Sequence, residues 1–286
     1  MTPRVALTIA GSDSGGGAGV QADLKTFAAL GVFGTSAVTA VTAQNTVAVV
    51  EVAALAPAMV VAQVEAVRTD LAPAAVKTGM LANPAIVAAV ARLAAAGELP
   101  NLVVDPVLVS TSGHLLMEEG GVDAYRQLLL PHATVATPNL REAAVLTGRP
   151  VTELASIDGM RTAAEELRAL GTGTVVVKGG HADPGGATGL GSPDVVAGPE
   201  GTVVLEGARI PTHNDHGTGC TLSAAVAAHL ALGASPVDAI VQAKAFVAQA
   251  LAGAATWHLG AGHGPIDHFG WSVGDDPDRP LRRPGP

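Results

Sequence analysis

The segment VALTIAGSDSGGGAGVQADLKTFAAL, residues 5–30, holds three kinds of sequence in succession. Val5–Gly11 is a short apolar run with β-branched residues and reads as a buried strand. Gly19–Leu30 carries apolar positions at helical spacing and reads as the helix that follows it. Between them lies Ala10–Gly19, dense in glycine. Such a loop serves either as a flexible turn or as a place where backbone comes close to a ligand. Its position at the carboxyl end of a strand, where open α/β sheets bind their ligands, favours the second.

The same alternation continues outward. Thr35–Thr42 and Val47–Leu55 read as strands on either side of the turn Gln44-Asn45-Thr46, followed by a helix over Pro57–Asp70. Ala75–Thr78, Leu102–Asp105, Thr134–Thr137 and Thr174–Lys178 read as strands. Helices are expected over Pro84–Ala96, from about Leu140, and over Ser156–Leu170, Cys220–Leu232 and Val237–Ala254. Asp194–Ala197 and Thr202–Leu205 form a hairpin pattern around Gly-Pro-Glu-Gly. Short β-branched strands alternating with alanine-rich helices predict an α/β fold with a mostly parallel central sheet and helices on both faces. No repeat or linker divides residues 1–270, which read as one domain. His181–Gly191 reads as a loop, and the proline-rich residues 271–286 as a disordered tail.

Composition narrows the function. The chain has 286 residues, 48% of them hydrophobic, with a net charge of −9 and 2% aromatics. It therefore lacks the positive field and the stacking platform that nucleic acid requires. The mean hydropathy of +0.39 comes largely from Ala and Val, and no apolar run reaches the ~18 residues of a membrane span. No signal-peptide pattern opens the sequence. A single cysteine excludes an internal disulfide framework and fits a reducing cytoplasm. An acidic protein of this kind binds anions locally, through backbone N–H groups, a few cations or a metal.

Three groups of residues carry such chemistry. His216-Gly217-Thr218-Gly219-Cys220 opens an alanine-rich helix, where free N–H groups form an anion hole for phosphate. Cys220 falls in the first turn, where the helix dipole favours a thiolate base; the alternative is a small buried cysteine. Asp105 and Lys178 each end a predicted strand, and Asn139 with Glu142 follow another. Any one of these reads as a cap, but together they suit a hard cation and a phosphate. The glycine-rich loop formally fits a relaxed dinucleotide fingerprint, but no acidic residue follows at the expected distance, and no Gly-Lys-Ser/Thr is present.

The ordered set Gly11–Gly19 with Gln21-Ala22-Asp23, Gln44-Asn45-Thr46, Lys77–Leu81, Asp105-Pro106-Val107, Thr137–Leu140, Val177–His181, Gly217–Ser223 and Gly262–Pro265 resembles the hydroxymethylpyrimidine/phosphomethylpyrimidine kinases of thiamine biosynthesis. These belong to the ribokinase-like superfamily of three-layer sandwiches. The resemblance spans roughly residues 5–270. It implies a cytoplasmic, ATP- and Mg²⁺-dependent phosphotransferase, usually a homodimer, acting first on 4-amino-5-hydroxymethyl-2-methylpyrimidine and then on its monophosphate. It places Gln44, Asp23, Ala18, Met80 and Val107 around the pyrimidine. It assigns Asp105, Asn139 and Glu142 to Mg²⁺, partly through water, Lys178 to the γ-phosphate, and Gly217, Thr218, Gly219 and Cys220 to the transfer itself. A pyridoxine/pyridoxal kinase of the same superfamily and a non-catalytic pyrimidine sensor are the alternatives. One departure stands out: the family generally has Thr where this chain has Asp215.

Overall fold

The computed structural model describes residues 2–108, 117–180 and 191–272. The chain opens with β1 (Val5–Ala10), α1 (Gly19–Ala29), β2 (Phe33–Val38), β3 (Ala40–Gln44) and β4 (Val49–Ala54). It continues through α2 (Pro57–Leu71), β5 (Ala75–Thr78), α3 (Pro84–Ala95), β6 (Leu102–Val104) and α4 (Gly121–Ala124). A π-helical turn (Tyr125–Leu129) and a 3₁₀ turn (Leu130–His132) follow, then β7 (Val135–Ala136), α5 (Leu140–Thr147), α6 (Val151–Leu154), α7 (Ile157–Arg168) and β8 (Thr174–Lys178). The described chain closes with β9 (Asp194–Gly198), β10 (Gly201–Leu205), α8 (Thr218–Ala231) and α9 (Pro236–Ala254).

Eight strands form one sheet in the order β10-β9-β8-β7-β6-β5-β1-β2. From β8 to β2 every pair is parallel, and β9 and β10 add an antiparallel edge. The period-2 alternation of a strand separates the two cores. Leu7, Ile9, Val104, Val175 and Val177 face a core shared with α2, α3, α5 and α7, whereas Ala6, Val103 and Val176 face one shared with α1, α8 and α9. The three-layer α/β arrangement expected from the sequence is the one observed.

Two differences bear on the site. The run Thr35–Thr42 is not one strand. The chain bends at buried Thr39, whose hydroxyl donates to Met80 O at 2.6 Å, so that β2 stays in the main sheet while β3 pairs only with β4. Gln44 therefore sits on a two-stranded flap outside the main sheet. The segment from Gly121 to His132 reads as no element from sequence, yet it holds three short helical turns with Tyr125 and Leu129 fully buried.

The loop His181–Gly191 lies outside the described residues except for Gly191, and the tail does so beyond Ser272. Trp271 stacks on Trp257 with ring centroids 6.0 Å apart, which anchors the start of that tail. Among the described residues no helix is long and apolar enough to cross a membrane.

Candidate active site

The parallel strands deliver their carboxyl ends side by side, and the chemistry-bearing residues follow those ends. The first structure met there is the glycine-rich loop after β1. Its N–H groups do not await a ligand. The carboxylate of Asp13 accepts from Gly15 N at 2.9 Å, Gly17 N at 3.1 Å and Ala18 N at 2.8 Å, and contacts His216 Nε2 at 2.9 Å. Burial works to raise the Asp13 pKa, but the His216 hydrogen bond and the amides outweigh it and hold the carboxyl below its ordinary value. The start of α1 is thus neutralised from within the chain, and the amides of Gly15, Gly17 and Ala18 are not free to meet an anion.

What the glycines do supply is close approach. A Cβ on Gly17 would lie 2.5 Å from His216 Cδ2, and one on Gly217, itself at φ +84°, would lie 1.8 Å from Gly17 O. The loop and the turn before α8 consequently touch backbone to backbone.

The start of α8 differs from that of α1, because Gly217 is its N-cap and no side chain caps it. Thr218 N–H donates to Asp215 O and Thr221 N–H to Gly217 O, which leaves the N–H groups of Gly219 and Cys220 among the orphan donors of a helix start. Gly19 N–H donates to the Cys220 thiol, so the cysteine lies between the starts of α1 and α8. The helix dipole does not prevail at the sulfur. Burial pushes the thiol up to about 11, with Asp23 and Asp105 adding to the rise and Lys77 opposing it. The expected low-pKa thiolate is therefore not what this environment produces.

Lys178 and Asp105 face this turn. Lys178 Nζ donates to Asp105 Oδ1 at 3.2 Å and lies 3.4 Å from where a Cβ on Gly219 would stand. Asp105 also accepts from Thr137 Oγ1 and Ser223 Oγ, each at 3.1 Å. Asn139 and Glu142 form a reciprocal capping box on α5: Glu142 N–H donates to Asn139 Oδ1 at 3.0 Å, and Asn139 N–H to Glu142 Oε2 at 2.8 Å. Glu142 is buried, and that burial, with Asp105 adding to it and Lys178 opposing, raises its pKa to about 8.

Two buried carboxylates thus share one lysine, which is a shortage of positive charge that a hard divalent cation would relieve. Among the described residues no three His, Cys, Asp or Glu side chains are spaced to hold a metal by themselves. Mg²⁺ takes one or two carboxylates and completes its shell with water and substrate phosphate, and Asp105 and Glu142 are two such carboxylates facing one lysine.

Gln44, Ala18, Met80 and Val107 are each half-buried. Two serines fasten the flap to the loop. Ser12 Oγ accepts from Thr42 N at 2.9 Å, and Ser14 Oγ accepts from Gln44 N at 2.7 Å. A Cβ on Gly11 would stand 2.4 Å from Met80 Cε, so that side chain lies across Gly11.

Asp23 is placed one layer lower than the resemblance implies. It is 0% exposed, and its carboxylate is taken by Lys77 Nζ at 2.9 and 2.8 Å and by Thr8 Oγ1 at 2.6 Å. It cannot touch a ring. Its partner Lys77 stands out in the sequence only as a lone charge in the apolar strand Ala75–Thr78. Burial works to lower the Lys77 pKa, but Asp23 outweighs this and holds the ammonium above its usual range. Lys77 in turn acts electrostatically on Cys220, which makes this ion pair the floor of the site.

A lysine at the end of β8 and an aspartate just after β6, on either side of β7 and set against an uncapped helix start, form an arrangement for moving a phosphoryl group. The family described as phosphomethylpyrimidine kinase matches residues 13–267. The chain belongs to this kinase family. It is 47% identical over 266 residues to the hydroxymethylpyrimidine/phosphomethylpyrimidine kinase of Rhizobium meliloti, a match covering 93% of this chain and 97% of that one. The ADP complex of Bacillus subtilis pyridoxal kinase superposes with a TM-score of 0.86 at 37% identity, covering 96% and 100% of the two chains. Phosphomethylpyrimidine kinase from Clostridium difficile gives 0.74 at 38% identity, covering 87% and 99%.

Within this kinase family the departure at Asp215 is locally absorbed. Its carboxylate turns to His263 Nδ1 at 2.7 Å, on the exposed side of the turn.

Proposed function

We propose that this protein phosphorylates 4-amino-5-hydroxymethyl-2-methylpyrimidine and then its monophosphate, giving the pyrophosphate used in thiamine biosynthesis, with ATP as the phosphoryl donor. The observation that carries this reading is the pairing of Lys178 and Asp105 against the uncapped start of α8, in a chain matched over nearly its whole length by kinases of that name.

In each step an oxygen of the substrate bonds to the γ-phosphorus as the bond to the β–γ bridging oxygen breaks, and ADP departs. Gln44 offers a donor and an acceptor to the aminopyrimidine edge, with Ala18, Met80 and Val107 against the ring faces. Asp23 acts from beneath, through Lys77. The Lys178 ammonium and the turn Gly217–Gly219 meet the charge on the phosphoryl oxygens. Asp105, Asn139 and Glu142 would hold Mg²⁺, partly through water, and the ion would supply positive charge to the phosphates.

Cys220 takes the proton that the hydroxymethyl group loses. The monophosphate is already anionic and needs no such base. Cys220→Ala should therefore slow the first phosphorylation about a hundredfold and the second by no more than about threefold. With the thiol near 11, only about one molecule in ten thousand is thiolate at pH 7. The first-step kcat/KM of the unaltered enzyme should then climb about tenfold per pH unit between 7 and 9, with the second step flat. Equal losses in both steps, or a flat first step, would remove the base role.

The test of the assignment is coupled ADP release with hydroxymethylpyrimidine, its monophosphate and pyridoxal, each with the unaltered enzyme and Gln44→Ala. Turnover of both pyrimidines, largely lost in Gln44→Ala, supports the reading. Turnover of pyridoxal alone would move the protein to the pyridoxal kinases among its structural neighbours. Pyrimidine binding without turnover would make it a sensor.

The flap carries a proposal about assembly. All six residues of β4 are exposed, Val50 to 75%, and Glu51 is the sole charge between Ala40 and Ala54. An isolated apolar hairpin is marginal in water and marks an interaction surface. We assign it to a homodimer in which the two flaps pack together. Sedimentation should show a dimer that Val50→Asp converts to monomer; a monomeric unaltered protein would refute this.

A further inference from the structure

We propose that Asp13 is a positioning residue for phosphoryl transfer: through His216 it fixes the turn Gly217–Cys220 relative to the flap that carries Gln44. The proposal rests on the kinase reading above and adds to it the element that sets the distance between the two halves of the site.

The observations lie on both sides of Asp13. Toward α8, its carboxylate contacts His216 Nε2 across 203 residues of chain, and the His216 backbone is held separately, its N–H donating to Gly264 O at 3.1 Å. His216 immediately precedes Gly217, the N-cap of α8, and the ring covers Gly17. Toward the flap, the residues flanking Asp13 are the two serines that bind β3. Ser12 N–H donates to Ala40 O at 2.9 Å and its hydroxyl accepts from Thr42 N, while the Ser14 hydroxyl accepts from Gln44 N. Asp13 is itself immobilised. It is 1% exposed, its carboxylate takes three loop amides, and its own N–H donates to Gln21 Oε1 at 2.8 Å.

One rigid loop therefore carries the ring-binding strand on its serines and the transfer turn on its aspartate. Phosphoryl transfer depends steeply on the approach of the two reacting atoms, and an error of about 1 Å costs on the order of a hundredfold in rate. Of the groups assigned to the ring, Gln44, Met80 and Val107 lie outside the Asp13–His216 contact, and only Ala18 shares its loop. Loosening the Asp13–His216 contact should therefore lower kcat while KM for the pyrimidine stays in place.

The test uses the full chain with Asp13→Asn, His216→Leu and His216→Gln. The glutamine amide nitrogen can stand near the place of Nε2 and keep a donor on the carboxylate. His216 is the safer position for folding, since its side chain is partly exposed. Expected are kcat losses of about thirtyfold in both phosphorylations for Asp13→Asn and His216→Leu, with KM for hydroxymethylpyrimidine within twofold. His216→Gln should return to within about fivefold of the unaltered enzyme, and the double variant Asp13→Asn/His216→Leu should be no slower than the slower single one.

Cys220, the sole cysteine, gives a readout that does not depend on turnover. Its alkylation by iodoacetamide should quicken about tenfold in His216→Leu and return toward the original rate in His216→Gln. Unchanged kcat and unchanged alkylation in His216→Leu would overturn the proposal, as would a His216→Gln no better than His216→Leu. If the unaltered enzyme turned over no substrate, the kinase reading would fall, and the alkylation rates would judge the clamp by themselves.

Discussion

Lys178→Ala is expected to lower kcat for both phosphorylations by about a thousandfold while leaving the Kd for hydroxymethylpyrimidine within twofold. Lys178 is the cation placed against both Asp105 and the start of α8. Burial alone would lower its pKa, but Asp105 and Glu142 together outweigh that and keep it above the usual lysine range, so the charge persists throughout neutral pH. Charge that develops on the transferred phosphoryl oxygens would lose its fixed partner in the variant. The ring contacts proposed for Gln44 and Met80 do not involve this residue, hence the separation of kcat from binding. Because the second phosphorylation needs the same charge as the first, the two losses should be similar. That contrasts with Cys220→Ala, where they should differ. Loss of less than tenfold in Lys178→Ala, measured by ADP release at saturating substrate, would place the phosphoryl site elsewhere.

The second large effect concerns stability. Lys77→Met should destabilise the protein by about 3–5 kcal/mol and lower Tm by roughly 10 °C. The variant leaves the Asp23 carboxylate wholly buried, with only the Thr8 hydroxyl beside it. A charge stranded in this way is costly, whereas removing both members of a buried pair is far cheaper. Lys77→Met/Asp23→Leu should accordingly recover most of the lost Tm. Thermal unfolding of the single and double variants checks this directly. A double variant as unstable as Lys77→Met would show that the pair contributes beyond its mutual neutralisation. Activity need not return with stability, since Lys77 also sets the field at Cys220.

Much of the architecture was readable in residues 5–30 and in the strand ends, for a physical reason. Strands buried on both faces are nearly continuous apolar runs, so a charge at the end of one, as in Val-Val-Asp105 or Val-Val-Lys178, marks the point where the chain leaves the core. The bend at Thr39 was not readable, because the β-branched run passes through it unbroken and the reason for turning is a contact with Met80, 41 residues away. The turns over Gly121–His132 are too short to show a helical period.

In the site, long-range partners were the hidden part. Asp13, in a loop with five glycines, looks like any loop aspartate until His216 arrives from the far end of the sequence. Asp23 looks available until Lys77 closes over it. The height of the Cys220 pKa was missed for a related reason: a helix start is visible in sequence, but the burial that outweighs it is not.

The flap of β3 and β4 stands apart from the eight-stranded sheet and is joined to the glycine-rich loop through Ser12 and Ser14. Under the proposed function, the Gln44 contact to the ring and the groups that transfer phosphate therefore sit on different pieces of chain. The strand that carries Gln44 can thus be remodelled without altering Lys178, Asp105 or α8, so a change of ring preference there need not disturb phosphoryl transfer.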